Sequence, residues 1–218
     1  AFVMTVMGGA VRGQATLVSF NSDGFTLNWS AVNSVASVPI KYVAIGGDDI
    51  TNATSSVFAM TTASGDQSLT GLGFQPDFIM VIPEHAGYTT GSFTNANAFF
   101  GTGFAAASST GIGQGLFVAC DEDGEGSAVT TRYQSATNTI MTLIVAENSC
   151  SNIDGYADVK TFDADGFTIT KTDPPAANRN IHYLAIKGGQ WNASKFNSLT
   201  ATGQQSISGV GFEPQGVF

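Results

Sequence analysis

Short runs of alternating apolar and polar residues, each closed by a turn signal, recur along the whole chain. Ala15 to Phe20 is one such run, and Phe25-Thr26-Leu27 resumes the alternation after Asp23-Gly24. Asp-Gly supplies the positive φ angles of a tight hairpin, so this stretch predicts two antiparallel strands. Tyr156 to Phe162, Asp165-Gly166 and Phe167-Thr168-Ile169 predict a second hairpin of the same kind. Two Tyr-x-Ala-Ile runs, beginning at Tyr42 and following His182, are apolar on both faces and stop at paired glycines. Central strands have that character. Ser68-Leu69-Thr70 and Ser206-Ile207-Ser208 read as half-exposed strands, each followed by a Gly-x-Gly-Phe-x-Pro corner. Asp77 to Ile82, Ala98 to Ala107, Gly115 to Cys120 and Ser127 to Gln134 predict further strands. No window shows helical periodicity. The expectation is an all-β chain forming a two-sheet β-sandwich, jelly-roll-like in its many short strands.

These runs are copies of one another. Val18 to Asn28 returns as Lys160 to Thr170, Lys41 to Gly47 as His182 to Gly189, and Gly65 to Pro76 as Gly203 to Pro214. The blocks keep their order and lie about 140 residues apart, which predicts an internal repeat. Residues 1–82 form a first copy, 83–139 supply intervening strands that complete the sandwich, and 140–218 form a second copy. The opening AFVMTVMGG matches the region around TIMTLIVAENS, so the chain spans about one and a half periods. Two arrangements follow: a slice of a longer array, or end strands completed by neighbouring molecules. In the second, an open sheet edge invites a strand from another chain, and head-to-tail repetition of such a contact builds a filament. Phe2, Val3, Met4 and Val6 at one end, and Phe212, Val217 and Phe218 at the other, are the expected assembly residues; the alternative is that both ends tuck into their own domain.

Composition narrows the setting. Charged residues make up only 11 % of the chain, against 43 % hydrophobic. Gly, Ser, Thr and Asn take the place of charge, as suits turns and solvated strand faces. That balance predicts an extracellular or virion β protein. A net charge of −9 with eight Lys plus Arg repels phosphate backbones and argues against a nucleic-acid partner. The longest apolar runs, such as Ile140 to Ala146, are too short for a spanning helix, so no membrane insertion is expected.

Candidate chemistry is sparse. His85 and His182 have no Cys, Asp or Glu at metal-ligand spacing, and no nucleophile elbow, phosphate loop or HExxH pattern occurs. Gly111 to Gly115 is rich in glycine but precedes a strand rather than a helix. No enzyme and no cofactor are expected. Asp121, Asp123 and Glu125, alternating around a glycine, could hold Ca²⁺; a solvated turn is the competing reading. Asn28, Asn52 and Asn192 each begin an Asn-x-Ser/Thr glycosylation signal, the last two in what reads as one loop of the two copies. Cys120 and Cys150 are either one disulfide or two buried thiols.

The blocks D-x-D-G-F-T, H-Y-L-A-I-x-G-G and Q-S-I-x-G-V-G-F-x-P, with Arg132-Tyr133-Gln134 between copies, resemble repeats in poorly characterised phage and metagenomic structural proteins. The resemblance covers most of the chain and implies a β-sandwich module of a virion or extracellular fibre. It carries no functional residues over. The leading expectation is therefore a structural fibre subunit whose partners are copies of itself. The alternative is a receptor- or glycan-binding module of a tail fibre, with Tyr88, Phe93, Phe99 and Phe100 stacking on surface sugars. A hydrolase would need paired carboxylates or a triad, and neither is visible.

Overall fold

The computed structural model describes residues 2–5, 11–32, 42, 44–84, 98–108, 111–122, 129–146 and 149–217. They are all-β: no helix occurs among them, and every strand pairing is antiparallel. They fall into two compact units, one within residues 1–45 and one from residue 46 onward.

The first unit is a three-stranded meander of β1 (Phe2–Thr5), β2 (Val11–Asn21) and β3 (Gly24–Ala31). Asp23-Gly24 turns the chain between β2 and β3, as its sequence predicts, with Gly24 at φ 130°.

The second unit is a two-layer, sandwich-like body. One layer takes the order β10-β11-β12-β5, from β5 (Gly65–Thr70), β10 (Ile140–Ala146), β11 (Ser149–Asp163) and β12 (Gly166–Asp173). The other takes the order β4-β13-β6-β7-β8-β9. Its strands are β4 (Ile50–Met60), β6 (Phe78–Pro83), β7 (Ala98–Ser108), β8 (Gly111–Glu122), β9 (Val129–Ser135) and β13 (Arg179–Gly188). The inner faces share one core: Leu69, Ile140, Val159, Phe167 and Ile169 from the smaller sheet meet Met60, Ile79, Val81, Ala105 and Ile181 from the larger. Burying such side chains stabilises the body by about 1.5–3 kcal/mol each. Gln114 of β8 ties the layers together: its Oε1 accepts from Thr139 Oγ1 (2.6 Å) and from the Val159 amide (2.8 Å).

Three sequence expectations change here. Ser206 to Ser208 and the described residues 44–47 are not strands, although Ser68 to Thr70 and the Tyr183 to Ile186 run are. The second Tyr-x-Ala-Ile run is indeed central, between β4 and β6; the first has no such neighbours among the described residues. Asn52 lies in β4, opposite Lys187, rather than in a loop. Residues 189–217 contain no strand.

The two Asp-Gly hairpins agree in register down to their irregularities. In β2–β3 the ladder shifts between Gln14 and Ala15 and between Leu17 and Ser19. In β11–β12 it shifts between Tyr156 and Ala157 and between Val159 and Thr161, 142 positions later in each case. The preceding pairs also match: β1–β2 shifts between Met4 and Thr5, and β10–β11 between Thr142 and Leu143.

Candidate functional site

The β11–β12 hairpin is held from its side by β5 and the loop after it. Gly166 to Lys171 pair with Thr70 to Gly65 in antiparallel register. At the turn, the Asp165 carboxylate accepts the amides of Gly71 (2.9 Å) and Gly73 (2.6 Å). Both glycines have positive φ, 92° and 77°, which aims their N–H groups at one acceptor. The Gly73 and Gly71 amides hold the Asp165 carboxyl below its ordinary pKa. Gly166 lets the Leu69 carbonyl approach: a Cβ there would lie 1.9 Å from that oxygen.

Side chains extend the clamp. Ser68 and Thr168 hydroxyls meet at 2.9 Å, and Thr168 donates onward to Asp163 (2.7 Å). Asp66 accepts from Lys160 and from Thr170. Lys171 is buried and donates to Thr61 Oγ1 and Gln67 Oε1, and burial pushes its ammonium pKa down. Above them Phe58 of β4 stands over an edge-on pair, Phe167 and Tyr183, with centroids 6.0 Å from each.

The β2–β3 hairpin carries the same features without the clamp. Asn21 Nδ2 donates to Thr26 Oγ1 (2.9 Å) where Asp163 meets Thr168. Phe25 and Tyr42 pack edge-on as Phe167 and Tyr183 do. β3 pairs with β2 alone among the described strands, and a Cβ on Gly24 would meet nothing within 4 Å. Ala15 is buried and Phe25 and Leu27 are half-buried, but other apolar residues of the hairpin are exposed. Leu17 is 49 % exposed where Val159 is 2 %, and Phe20, Trp29, Tyr42 and Ile45 are also exposed. Among the described residues the sheet thus has an unpaired β3 edge beside exposed apolar side chains.

The other expected site residues are dispersed. Asp121 is exposed at the end of β8 and accepts from Thr130 Oγ1 (3.0 Å); Asp123 and Glu125 lie outside the described residues. Among the described residues no three acidic, His or Cys side chains converge on a metal site. Cys120 is buried and disulfide-bonded. The one other cysteine is Cys150 on β11, whose side chain is outside those described. Asn28 on β3, Asn52 on β4 and Asn192 are exposed; Asn192 Nδ2 donates to the Val210 carbonyl (3.3 Å). Phe2, Val3 and Met4 belong to β1 by backbone only, Val6 and Phe218 are not described, Phe212 is half-buried and Val217 is exposed. Tyr88, Phe93 and His85 fall outside the described residues; Phe99 is half-buried, Phe100 exposed, and His182 is exposed beside Glu84 (3.3 Å). Sequence reasoning named the strand ends and missed β3's edge and its bare face. Trp29 would have marked it, being apolar where Lys171 lies in the covered hairpin.

A shallow cleft of 440 Å³ lies between residues 189–192, Gly209 to Phe212 and the Ala107-Ser108 end of β7. Trp191 closes its floor by stacking on Phe78 (4.3 Å, 16°). No protein-family model, characterised protein or solved structure matches the chain.

Proposed function

We infer that the chain is a structural subunit of an extracellular or virion fibre, whose copies join head to tail by β-strand pairing. The observation that carries this reading is the first unit's open β3 edge beside a bare apolar face. Leaving Leu17, Phe20, Trp29 and Ile45 in water costs stability that a second layer of strands would recover. The same reading takes residues 46–188 as one full module of a repeat and the first unit as part of another. The coincident register shifts of the two hairpins support it. Low charge and a Ser/Thr/Asn surface fit an extracellular or virion setting, and the resemblance to fibre repeats points the same way. Negative-stain microscopy and sedimentation over a concentration series test it. Filaments that lengthen with concentration are expected; monomers alone at high concentration would overturn it.

A further inference from the structure

We propose that the missing neighbour of β3 is residues 203–208 of a second copy of this chain. This rests on the fibre reading above and specifies its joint. Gly203-Gln-Gln-Ser-Ile-Ser208 repeats Gly65-Asp-Gln-Ser-Leu-Thr70, the strand that flanks β12. Transposing the β12–β5 ladder sets Gly24 opposite Ser208, Phe25 opposite Ile207, Thr26 opposite Ser206 and Trp29 opposite Gly203. The new strand occupies the space beside Gly24 that the Leu69 carbonyl fills beside Gly166.

The donor segment is available and shaped for the role. Ile207 is 46 % exposed where Leu69 is 9 %, and Phe196 and Leu199 are exposed too. Gly209 and Gly211 keep positive φ angles of 85° and 89°, close to those of Gly71 and Gly73. Their amides can therefore close on Asp23 as the earlier pair closes on Asp165. Phe196 occupies the sequence place of Phe58, the third ring over the edge-on pair, and so completes a trio with Phe25 and Tyr42.

Contacting residues also change together between the two settings. The buried polar contact of Lys171 with Thr61 becomes Trp29 with Leu199, both apolar. The ion pair of Lys160 with Asp66 becomes Val18 with Gln204, and Thr170 becomes Asn28, a partner for the Gln204 amide. No charge is stranded in either exchange. Two contacts do not transfer: Lys171 also donates to Gln67, where Trp29 would face Gln205, and Gln75 donates to the Phe162 carbonyl, whereas its counterpart Glu213 has no proton to give. In the head-to-tail fibre reading the two surfaces belong to different molecules, so the partner is a second copy.

The test uses two differently tagged full-length copies. Thr26→Cys in one and Ser206→Cys in the other place thiols where Ser68 and Thr168 hydroxyls meet in the sandwich. Mixing under mild oxidation is expected to give a 26–206 cross-linked heterodimer, with at least ten-fold less product for Thr26→Cys with Gln204→Cys. Trp29→Asp is expected to raise the concentration needed for association more than ten-fold while the thermal transition of the second unit stays in place. Filaments without the 26–206 cross-link would overturn this joint and leave the fibre reading standing. Monomers alone would overturn both. An intrachain 26–206 disulfide in the doubly substituted chain, without heterodimer, would overturn the second-copy assignment.

Discussion

Phe25 and Tyr42 meet edge-on, with ring centroids 5.2 Å apart and planes at 80°. Phe167 and Tyr183 repeat the arrangement at 5.6 Å and 79°. The geometry is the same and the surroundings differ. Phe167 is fully buried beneath Phe58, whereas Phe25 is only half-buried.

That contrast sets the first prediction. Phe167→Ala should cost about 3–5 kcal/mol, because the vacated volume lies inside a closed core. Phe25→Ala should cost under about 1.5 kcal/mol in the dissociated chain, since half of its transfer term is never gained. Urea denaturation at low protein concentration, followed by near-UV circular dichroism, separates the two.

Acid should loosen the β5 side of the sandwich through Asp165. Its pKa is lowered in the folded chain, so its contribution is complete above the ordinary value of 3.8 and is lost as pH falls through the folded value. Asp158 acts in the opposite sense, because burial raises its pKa and acid relieves the cost of its charge. Asp165→Asn isolates the first effect. Its melting temperature should fall below the parent's at pH 7, and the two should converge near the acid end of a titration.

Asp154 and Arg179 form a nearly buried ion pair, and the Asp154 carboxylate also accepts the Ala176 amide (3.2 Å). Arg179→Ala leaves that carboxylate dry and without its cation, at a cost of about 3–5 kcal/mol. Adding Asp154→Leu should return at least about half of the loss, since the stranded charge goes with it. Chemical denaturation of the single and double variants, compared as a cycle, checks the sign.

Cys120 gives the fourth prediction. Removing a disulfide that ends in a buried strand, by Cys120→Ser or by reductant, should cost about 2–4 kcal/mol. Thiol titration of the native protein should find no free sulfhydryl at Cys120, and the midpoint shift with and without reductant measures the loss.

Much of this fold can be read from local chemistry. The Asp-Gly turns place both hairpins, and short strands within Ala98 to Ala107 and Gly115 to Cys120 are also legible. What local chemistry cannot supply is the neighbour. Ser68-Leu69-Thr70 is a strand because β12 lies beside it; Ser206-Ile207-Ser208 has nearly the same sequence and pairs with no strand among the described residues. β4 shows the converse. Its Asn, Thr and Ser residues read as a loop, yet pairing with β13 along ten positions makes it an edge strand. The candidate site was illegible for the same reason, since an open edge is defined by what does not pair with it.

Twin bulges have a last consequence, which concerns fidelity. A bulge bends and twists its strand, and both hairpins carry theirs at matching positions, so each offers a lateral strand nearly the same track. Two interchangeable tracks in one molecule invite the wrong strand. Here the side chains discriminate. A Gly65-to-Thr70 strand laid against β3 would set the Asp66 carboxylate against Val18 in place of Lys160, and Thr61 against Trp29 in place of Lys171. An unanswered carboxylate and a mismatched hydroxyl make that exchange unfavourable. Backbone shape makes the two tracks alike, and in the proposed joint a few side chains on either side would keep each strand to its own.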